Sequence, residues 1–417
     1  MRVILIAVLT IPVLFSQTDP GPRGGRGAPP PGPPLSGRPL PGLTADELQA
    51  FDSGRDAFTE IESVSSGLGP RFNLDGCAGC HMHPAPGGSS PPLNPQFPAA
   101  THLGAINQMP PFLQPNGPVR VVRFRRRPDG TPDGGVHDLF VITGRSDAPA
   151  ACQITQPDFS DTANLTFRIP TPTFGLGLVE SIPDSSLRAI FNASAPRRTA
   201  LGIRGRFNTN GNDGTITRYG WKAQNKSLLQ FSGEAYNVEV GVTNRLFPQE
   251  REDDLNCATN GLPEDSSDIE AFATFMRFLA PPMPAAPDSS TSNGAAVFNT
   301  IGCSACHTPT LVTGNSTTAA LSKQQVNLYS DLAIHQMGQL LADGITQGLA
   351  GGGEWRTAPL WGLGDRLFLL HDGRTQDLVQ AIVQHDSPGS EAHTVIANYQ
   401  SLTPQQKQDL LNFLRSL

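Results

Sequence analysis

The chain has 417 residues and a formal net charge of −7 at pH 7. This acidic balance argues against a nucleic-acid partner, which would require a basic surface. Charged residues make up only 16% of the sequence, whereas 43 glycines and 39 prolines are present. We therefore expect a loop-rich protein of two or three domains.

The N-terminus is typical of a secretory signal peptide. Arg2 supplies a positive charge, and residues 3–15 form an apolar run that is too short to span a bilayer. The cleavage site is poorly marked, so we assign the signal to residues 1–17, and an uncleaved membrane anchor stays open as an alternative. Residues 18–42 are rich in proline and glycine and lack apolar periodicity, which predicts a disordered tether.

Residues 43–280 are predicted to form a first domain. Thr44 and Glu47 have the spacing of a capping box, so a helix should begin at this point. Residues 119–124 and 138–143 are rich in β-formers and lie on either side of a Pro-Asp-Gly turn sequence. This pattern predicts a small β-hairpin.

The end of the first domain and all of the second are predicted to be helical. Residues 268–279 place their apolar side chains on one face of a helix. A proline-rich linker follows over 281–291. The second domain, residues 292–417, is expected to begin with a helix that leads into Cys303 and to end with a helix over 403–416.

The chemistry of the chain is indicated by two copies of one motif: Cys77-Ala-Gly-Cys80-His81 and Cys303-Ser-Ala-Cys306-His307. Cys-x-x-Cys-His is the attachment sequence of c-type haem, in which both thiols become thioethers and the histidine is an axial iron ligand. A zinc site would need its two Cys-x-x-Cys pairs close together, whereas these stand in opposite halves of the chain. The sequence therefore predicts two covalently bound haems c.

The haem motifs also bear on the cellular compartment. Because c-type haem is attached on the outer side of the bacterial inner membrane, the motifs and the signal together predict a periplasmic protein. The motifs use four of the six cysteines. In an oxidising compartment we expect the remaining pair, Cys152 and Cys257, to form a disulfide; two free buried thiols are the alternative.

An internal repeat relates the two halves. The segment Pro-Thr-Pro-Thr-Phe-Gly-Leu-Gly at 170–177 precedes Trp221, and Thr-Ala-Pro-Leu-Trp-Gly-Leu-Gly at 357–364 precedes His371. The predicted fold is thus mainly α, with two cytochrome c-like domains that each carry one haem. The first domain is enlarged by loops and by the small β-hairpin.

Several segments of the sequence resemble one known family: residues 69–81 (GPRFNLDGCAGCH), 220–226 (GWKAQNK), 356–364 (RTAPLWGLG) and 371–374 (HDGR). They resemble the bacterial di-haem oxidoreductase family of peroxidase-like proteins, from Leu43 to the C-terminus. The chain is more distantly similar to bacterial di-haem cytochrome c peroxidases and to the methylamine-utilisation di-haem enzyme. The resemblance implies a peroxidatic N-terminal haem and an electron-transferring C-terminal haem, often with a calcium ion between them.

The second axial ligand decides whether a haem binds substrate or only transfers electrons. In the peroxidase relatives a methionine ligand follows a His-Asp-Gly sequence at a fixed spacing, and that spacing, counted from His371, reaches His385. We predict a bis-histidine haem with ligands His307 and His385, of lower potential than a His/Met haem. His335 is the rival ligand, although the resemblance favours its facing a propionate, and Met337 is a third candidate.

Peroxide cleavage at the first haem needs an acid/base group. In the relatives, a glutamate that follows the tryptophan between the haems has this role. Glu239 and Glu234 both follow Trp221; we rank Glu239 ahead, with Glu180 a weaker candidate. By the same resemblance Trp221 relays oxidising equivalents between the haems, although it could serve core packing alone.

A resting-state ligand could also close the sixth position of the first haem. The sequence offers His83, His102 and His137 as candidates. His83 stands too close to His81 to cross the ring. His102 lies in a proline-rich stretch and is the better candidate.

These features favour an exported di-haem oxidoreductase that reduces hydrogen peroxide with electrons from a small cytochrome c or cupredoxin. Two other functions stay open. The chain could oxidise a protein or an organic substrate, or it could be a non-catalytic electron-transfer cytochrome with both irons six-coordinate.

The haem attachment can be tested directly. Protein made in a host that matures c-type cytochromes should retain two haems after acid-acetone extraction. Cys77→Ala and Cys303→Ala should each weaken one attachment. An unmodified polypeptide mass from such a host would contradict the prediction.

Overall fold

The computed structural model describes residues 17–23, 35–249, 256–257 and 267–417. Most of the regular secondary structure is helical, with small sheets and long loops between the helices. The predicted mainly helical fold with a small sheet is confirmed at this level. Within the described ranges, no helix is both long and apolar enough to cross a membrane. The predicted signal lies outside the described residues except for Gln17.

The α-helices, in chain order, are α1 Ala45–Thr59, α2 Cys77–Cys80, α3 Gln96–Thr101, α4 Leu176–Glu180, α5 Asp184–Ala193, α6 Ala195–Ala200, α7 Leu228–Ala235, α8 Ser267–Phe278, α9 Ser289–Ile301, α10 Gly338–Leu341, α11 Leu378–Val383, α12 His393–Gln400 and α13 Pro404–Ser416. The strands are β1 Arg71–Phe72, β2 Val121–Phe124, β3 Val136–His137, β4 Phe140–Val141, β5 Leu165–Arg168, β6 Leu311–Val312, β7 Gln325–Val326, β8 Ile334–Gln336 and β9 Glu354–Arg356. A π-helical turn, Tyr236–Val240, directly continues α7.

Helices α1 and α8 form the centre of the first half. The capping box that starts α1 is confirmed, because the Glu47 amide donates to the Thr44 hydroxyl and the Thr44 amide donates to the Glu47 carboxylate. Phe58 packs on Phe275 of α8 with ring centroids 4.9 Å apart. A Cβ at Gly54 would lie 2.5 Å from the Ala271 carbonyl oxygen. Only glycine therefore allows the two helices to approach this closely.

The predicted β-hairpin is only partly correct. Strand β2 lies at the centre of a three-stranded sheet, between β3 and β5. Residues 140–141, expected to pair with β2, instead pair with β1, where Phe72 lies opposite Phe140. All four side chains from Leu139 to Ile142 are buried. Because they bury apolar surface on both faces, they favour an interior position over the exposed hairpin.

In the second half, α9 packs against α13. Both helices start with a capping box, at Asp288 and Thr403. Phe298 and Phe413 bring their ring centroids to 5.4 Å, and a Cβ at Gly294 would lie 2.0 Å from the Asp409 carbonyl oxygen. The two predicted helices are confirmed, and the predicted linker ends one turn earlier than expected because Asp288 caps α9.

The segment predicted as a disordered tether is packed at both of its described ends. The Asp19 carboxylate is buried and accepts two hydrogen bonds from Arg415, at 2.9 and 2.7 Å. Arg23 pairs with Asp365 at 2.8 Å, and the Leu40 amide donates to the Phe278 carbonyl. Residues 18–23 and 35–42 are therefore ordered, contrary to the expectation. Individual polar groups in them bind buried partners, and such contacts cannot be recognised from the periodicity of apolar residues. Residues 24–34 lie outside the described residues.

Cys152 and Cys257 form a disulfide with a Cα–Cα distance of 4.6 Å. Their sequence separation is 105 residues. The double variant Cys152→Ala/Cys257→Ala should lower the free energy of unfolding by about 4–5 kcal/mol, because the open chain regains loop entropy. Denaturant titration of both proteins, with and without reductant, measures this difference. Alkylation of both cysteines in unreduced protein would contradict the pairing.

Candidate active site

The first cavity is built around the first haem motif. Helix α2 carries Cys77 and Cys80, and His81 follows as its C-cap. All three line one cavity. The Nδ1 of His81 lies 3.1 Å from the Gly88 carbonyl oxygen, and burial lowers the pKa of this imidazole to about 4. A neutral ring with Nδ1–H bound to a carbonyl leaves the Nε2 lone pair available to a metal.

The second cavity repeats this arrangement. Cys303, Cys306 and His307 line this second cavity together. The Nδ1 of His307 lies 3.0 Å from the Tyr329 carbonyl oxygen, and burial lowers the pKa of His307 to about 4. Burial also raises the pKa of the Cys303 thiol to about 12. In each cavity two thiols and one neutral imidazole are available, and this set of groups fits a covalently bound haem c.

His385 and His335 differ in what their ring nitrogens contact. His385 lines the second cavity with His307, and its Nδ1 lies 2.7 Å from the Ala381 carbonyl oxygen, so Nε2 is left for a metal. In His335, by contrast, Nε2 lies 3.0 Å from Asp331 Oδ2 and Nδ1 lies 2.9 Å from Glu391 Oε2. These contacts support His385 over His335 as the second ligand. Met337 also lines this cavity.

Two carboxylates of the first half reach the cavity beside His81. Glu234 on α7 and Glu239 in the π-helical turn both line it. Burial, reinforced by the nearby Glu234, raises the pKa of Glu239 to about 7. The Glu239 carbonyl accepts the Asn73 amide at 2.8 Å, which fixes the turn to the chain that leads into Cys77. Glu239 is thus a carboxyl group poised to exchange a proton near neutral pH.

Glu234 and Glu180 have other partners. Glu234 accepts hydrogen bonds from the side-chain amides of Gln224 and Asn225. Glu180 pairs with Arg277 at 2.8 Å and accepts the Leu228 amide at 3.0 Å. Glu180 does not line the first cavity, and its contacts indicate that it anchors the start of α7.

Trp221 lines both cavities. Its indole Nε1 donates to the Ile169 carbonyl at 2.8 Å, and its own carbonyl accepts the Arg356 amide at 3.0 Å. His371, its counterpart in the repeat, lies 6.4 Å away between ring centroids. The indole is therefore held between the two haem motifs by contacts from both halves.

The three candidate resting-state histidines all lie elsewhere. His83 Nε2 lies 2.9 Å from the Asp365 carbonyl oxygen, and His102 Nδ1 lies 2.8 Å from Asp75 Oδ2. His137 stacks on Phe124 with ring centroids 4.0 Å apart. None of the three lines the first cavity.

Sequence reasoning missed two residues of the site. Arg123, on β2, is buried and lines the first cavity; burial lowers its pKa to about 9, so it is charged at neutral pH. Trp355, on β9, lines the second cavity and stacks on His371 at 3.9 Å. Two arginines within the otherwise apolar run 119–124, Arg120 and Arg123, were the available signal. Nothing local marked Trp355, which is placed by the pairing of β8 with β9.

Comparison with known proteins gives a family and more distant structural likenesses. A family described as "Di-haem oxidoreductase, putative peroxidase" matches residues 128–417. Among solved structures, the chain is similar to a MauG-like protein associated with microbial copper homeostasis, at 17% identity and a TM-score of 0.30, over 51% of this chain and 77% of that one. It is also similar to the diheme peroxidase BthA from Burkholderia thailandensis, at 15% identity and a TM-score of 0.32, over 75% and 95%. No curated protein matches the sequence.

The ligand set of the second cavity can be tested by substitution in the haem-loaded protein. His385→Ala should convert the second haem to a high-spin form, because it removes one of two nitrogen ligands. His335→Ala should leave the spin state unchanged, and His393→Ala is an exposed histidine control. Absorption and EPR spectra report the outcome. A methionine-type charge-transfer band in the wild type, or a high-spin signal from the His335 variant alone, would contradict the assignment.

Proposed function

We propose that this chain, which belongs to the di-haem oxidoreductase family, reduces hydrogen peroxide in the cavity that contains His81. The observation that carries the proposal is the placement of Glu239, a carboxyl group whose pKa is raised to about 7, in the same cavity as Cys77, Cys80 and His81. A proton-exchanging group beside a haem motif is what peroxide cleavage requires.

The residues of the first cavity divide the work among them. Cys77, Cys80 and His81 would hold the haem, which supplies the redox-active iron when bound. The Glu239 carboxylate takes the proton from one oxygen of peroxide and delivers it to the other oxygen, which departs as the O–O bond breaks. One peroxide, two electrons and two protons give two water molecules. The Arg123 guanidinium stabilises negative charge that develops on the departing oxygen.

The second half would supply the electrons. His307 and His385 would ligate a six-coordinate haem suited to electron transfer, and Trp221 is the side chain that lines both cavities. A small cytochrome c or cupredoxin in the periplasm is the proposed donor. The proposal therefore includes two covalently bound haems, export to the periplasm and this electron donor.

The role of Glu239 predicts both a rate and a pH dependence. Only the carboxylate can accept the peroxide proton, so the rate constant should rise as pH increases through about 7, where Glu239 loses its proton. Glu239→Gln should lower the rate by about 10²–10⁴-fold and remove this pH dependence. Stopped-flow mixing of the haem-loaded protein with peroxide measures both effects.

Glu234→Gln is the matched control, because Glu234 lines the same cavity but is already bound by two amides. It should retain the rise near pH 7. The assignment to Glu239 fails if the loss of rate and of pH dependence follows Glu234 instead. Wild-type protein that is inert to peroxide, both fully oxidised and half-reduced, would favour an electron-transfer cytochrome.

A further inference from the structure

Lys222 is buried at the junction of the two halves. Its side chain has no solvent exposure. The ammonium Nζ lies 2.8 Å from the Gly351 carbonyl oxygen, 3.0 Å from the Glu354 carbonyl oxygen and 3.1 Å from Asp343 Oδ1. Two carbonyl oxygens and one carboxylate oxygen are the kinds of ligand that hard cations such as calcium prefer.

The oxygens around Lys222 come from a different half of the chain. Lys222 belongs to the first half, whereas Asp343 and Gly351 lie in the loop between α10 and β9 of the second half, and Glu354 begins β9. Arg168, on β5 of the first half, binds the other oxygen of Asp343 at 2.6 Å. One buried carboxylate of the second half is thus shared between two cations of the first half, and the junction depends on positive charge from the first half.

The loop that provides these oxygens is closed on itself around the ammonium. The Asp343 amide donates to the Gly352 carbonyl at 3.0 Å. A Cβ at Gly352 would lie 2.8 Å from the Gly344 Cα. Glycine at this position therefore allows the two ends of the loop to approach each other. The side-chain amide of Asn208 donates to the carbonyls of both Lys222 and Gln347. These contacts hold the loop in its folded shape next to Lys222.

We propose that the ammonium of Lys222 is the resident cation of this junction and stands in place of the calcium ion that the family resemblance implies. In the part of the chain that the structure describes, no three His, Cys, Asp or Glu side chains converge to hold a metal ion. A covalently tethered ammonium also differs from calcium in that it cannot be removed by a chelator. This proposal is independent of peroxide chemistry.

The charge state of Lys222 agrees with this role. Burial, together with Arg168, lowers the pKa of Lys222 to about 8, and Asp343 opposes the decrease. The side chain is therefore still an ammonium at neutral pH. Its ring contact with Trp355, at 4.2 Å from Nζ to the centroid, adds a cation–π interaction on the remaining side.

The first test uses metal content and thermal stability of the haem-loaded wild type. We expect less than one calcium per chain after gel filtration, and the same melting temperature with and without EGTA. One tightly bound calcium per chain, with a melting temperature that falls in EGTA, would overturn the proposal. Neither readout depends on peroxidase activity, so this outcome is distinct from a failure of the proposed function.

The second test uses a matched pair of lysine variants. Lys222→Met should lower the melting temperature by roughly 5 °C, because it leaves Asp343 with one partner fewer in a buried site. Lys226→Met is the control, since Lys226 is an exposed lysine paired with Asp213, and should melt with the wild type. Equal melting temperatures for Lys222→Met and the wild type would contradict the proposal.

Chemical rescue then identifies the cation. Lys222→Ala leaves a space with the shape of propylammonium next to the three oxygens. Added propylammonium chloride should raise the melting temperature of Lys222→Ala above that in an equal concentration of sodium chloride, and should not change the wild type. If neither propylammonium nor calcium changes the melting temperature of a folded Lys222→Ala protein, the oxygens do not form a cation site and the proposal is wrong.

Discussion

The buried carboxylate of Asp343, held between Arg168 and Lys222, fixes the relative position of the two halves. Moving three charged groups out of water is expensive, so this cluster adds little to stability, but an arrangement that separated the charges would be strongly disfavoured. Lys222 follows Trp221 directly, and Arg168 ends β5 just before the segment that lines the first cavity. The ion cluster therefore also determines where the bridging indole lies.

Electrostatics within the first cavity depends on the same low-dielectric interior. Burial favours the neutral form of Glu239 and of His81, so the two groups avoid opposite charges at neutral pH that would bind each other. Arg123, across the cavity, keeps its charge because a guanidinium loses its proton only at much higher pH. Arg123 thus shares the cavity with the proton-exchanging Glu239 and the neutral His81.

Local patterns in the sequence were sufficient to predict local structure. The capping box at Thr44 and the helix that includes Phe275 were predicted from short patterns, because each depends on residues that are close in sequence. The disulfide was predicted because Cys152 and Cys257 are the two cysteines that the haem motifs do not use. The family was likewise predicted from short strings and is confirmed by the match over 128–417.

Contacts between distant segments could not be predicted in this way. The pairing of Phe140 with Phe72, the docking of Asp19 on Arg415 and the position of Trp355 each depend on a partner far away in sequence. Of the candidate site residues, Glu239 and Glu234 line the first cavity, whereas His102, at the end of α3, does not, because the local sequence does not fix the direction of a side chain at a helix end.

The charges near Trp221 and Trp355 affect which of the two indoles is more easily oxidised. Nζ of Lys222 lies 4.2 Å from the Trp355 ring centroid, and the Arg168 guanidinium lies 5.2 Å from it. Removing an electron from an indole leaves a positive ring, which these two cations would repel. No such cation–ring pair involves Trp221 among the described residues. Even with Asp343 balancing part of their charge, these two cations disfavour oxidation of Trp355 and favour Trp221, which borders both cavities, as the indole that would lose an electron.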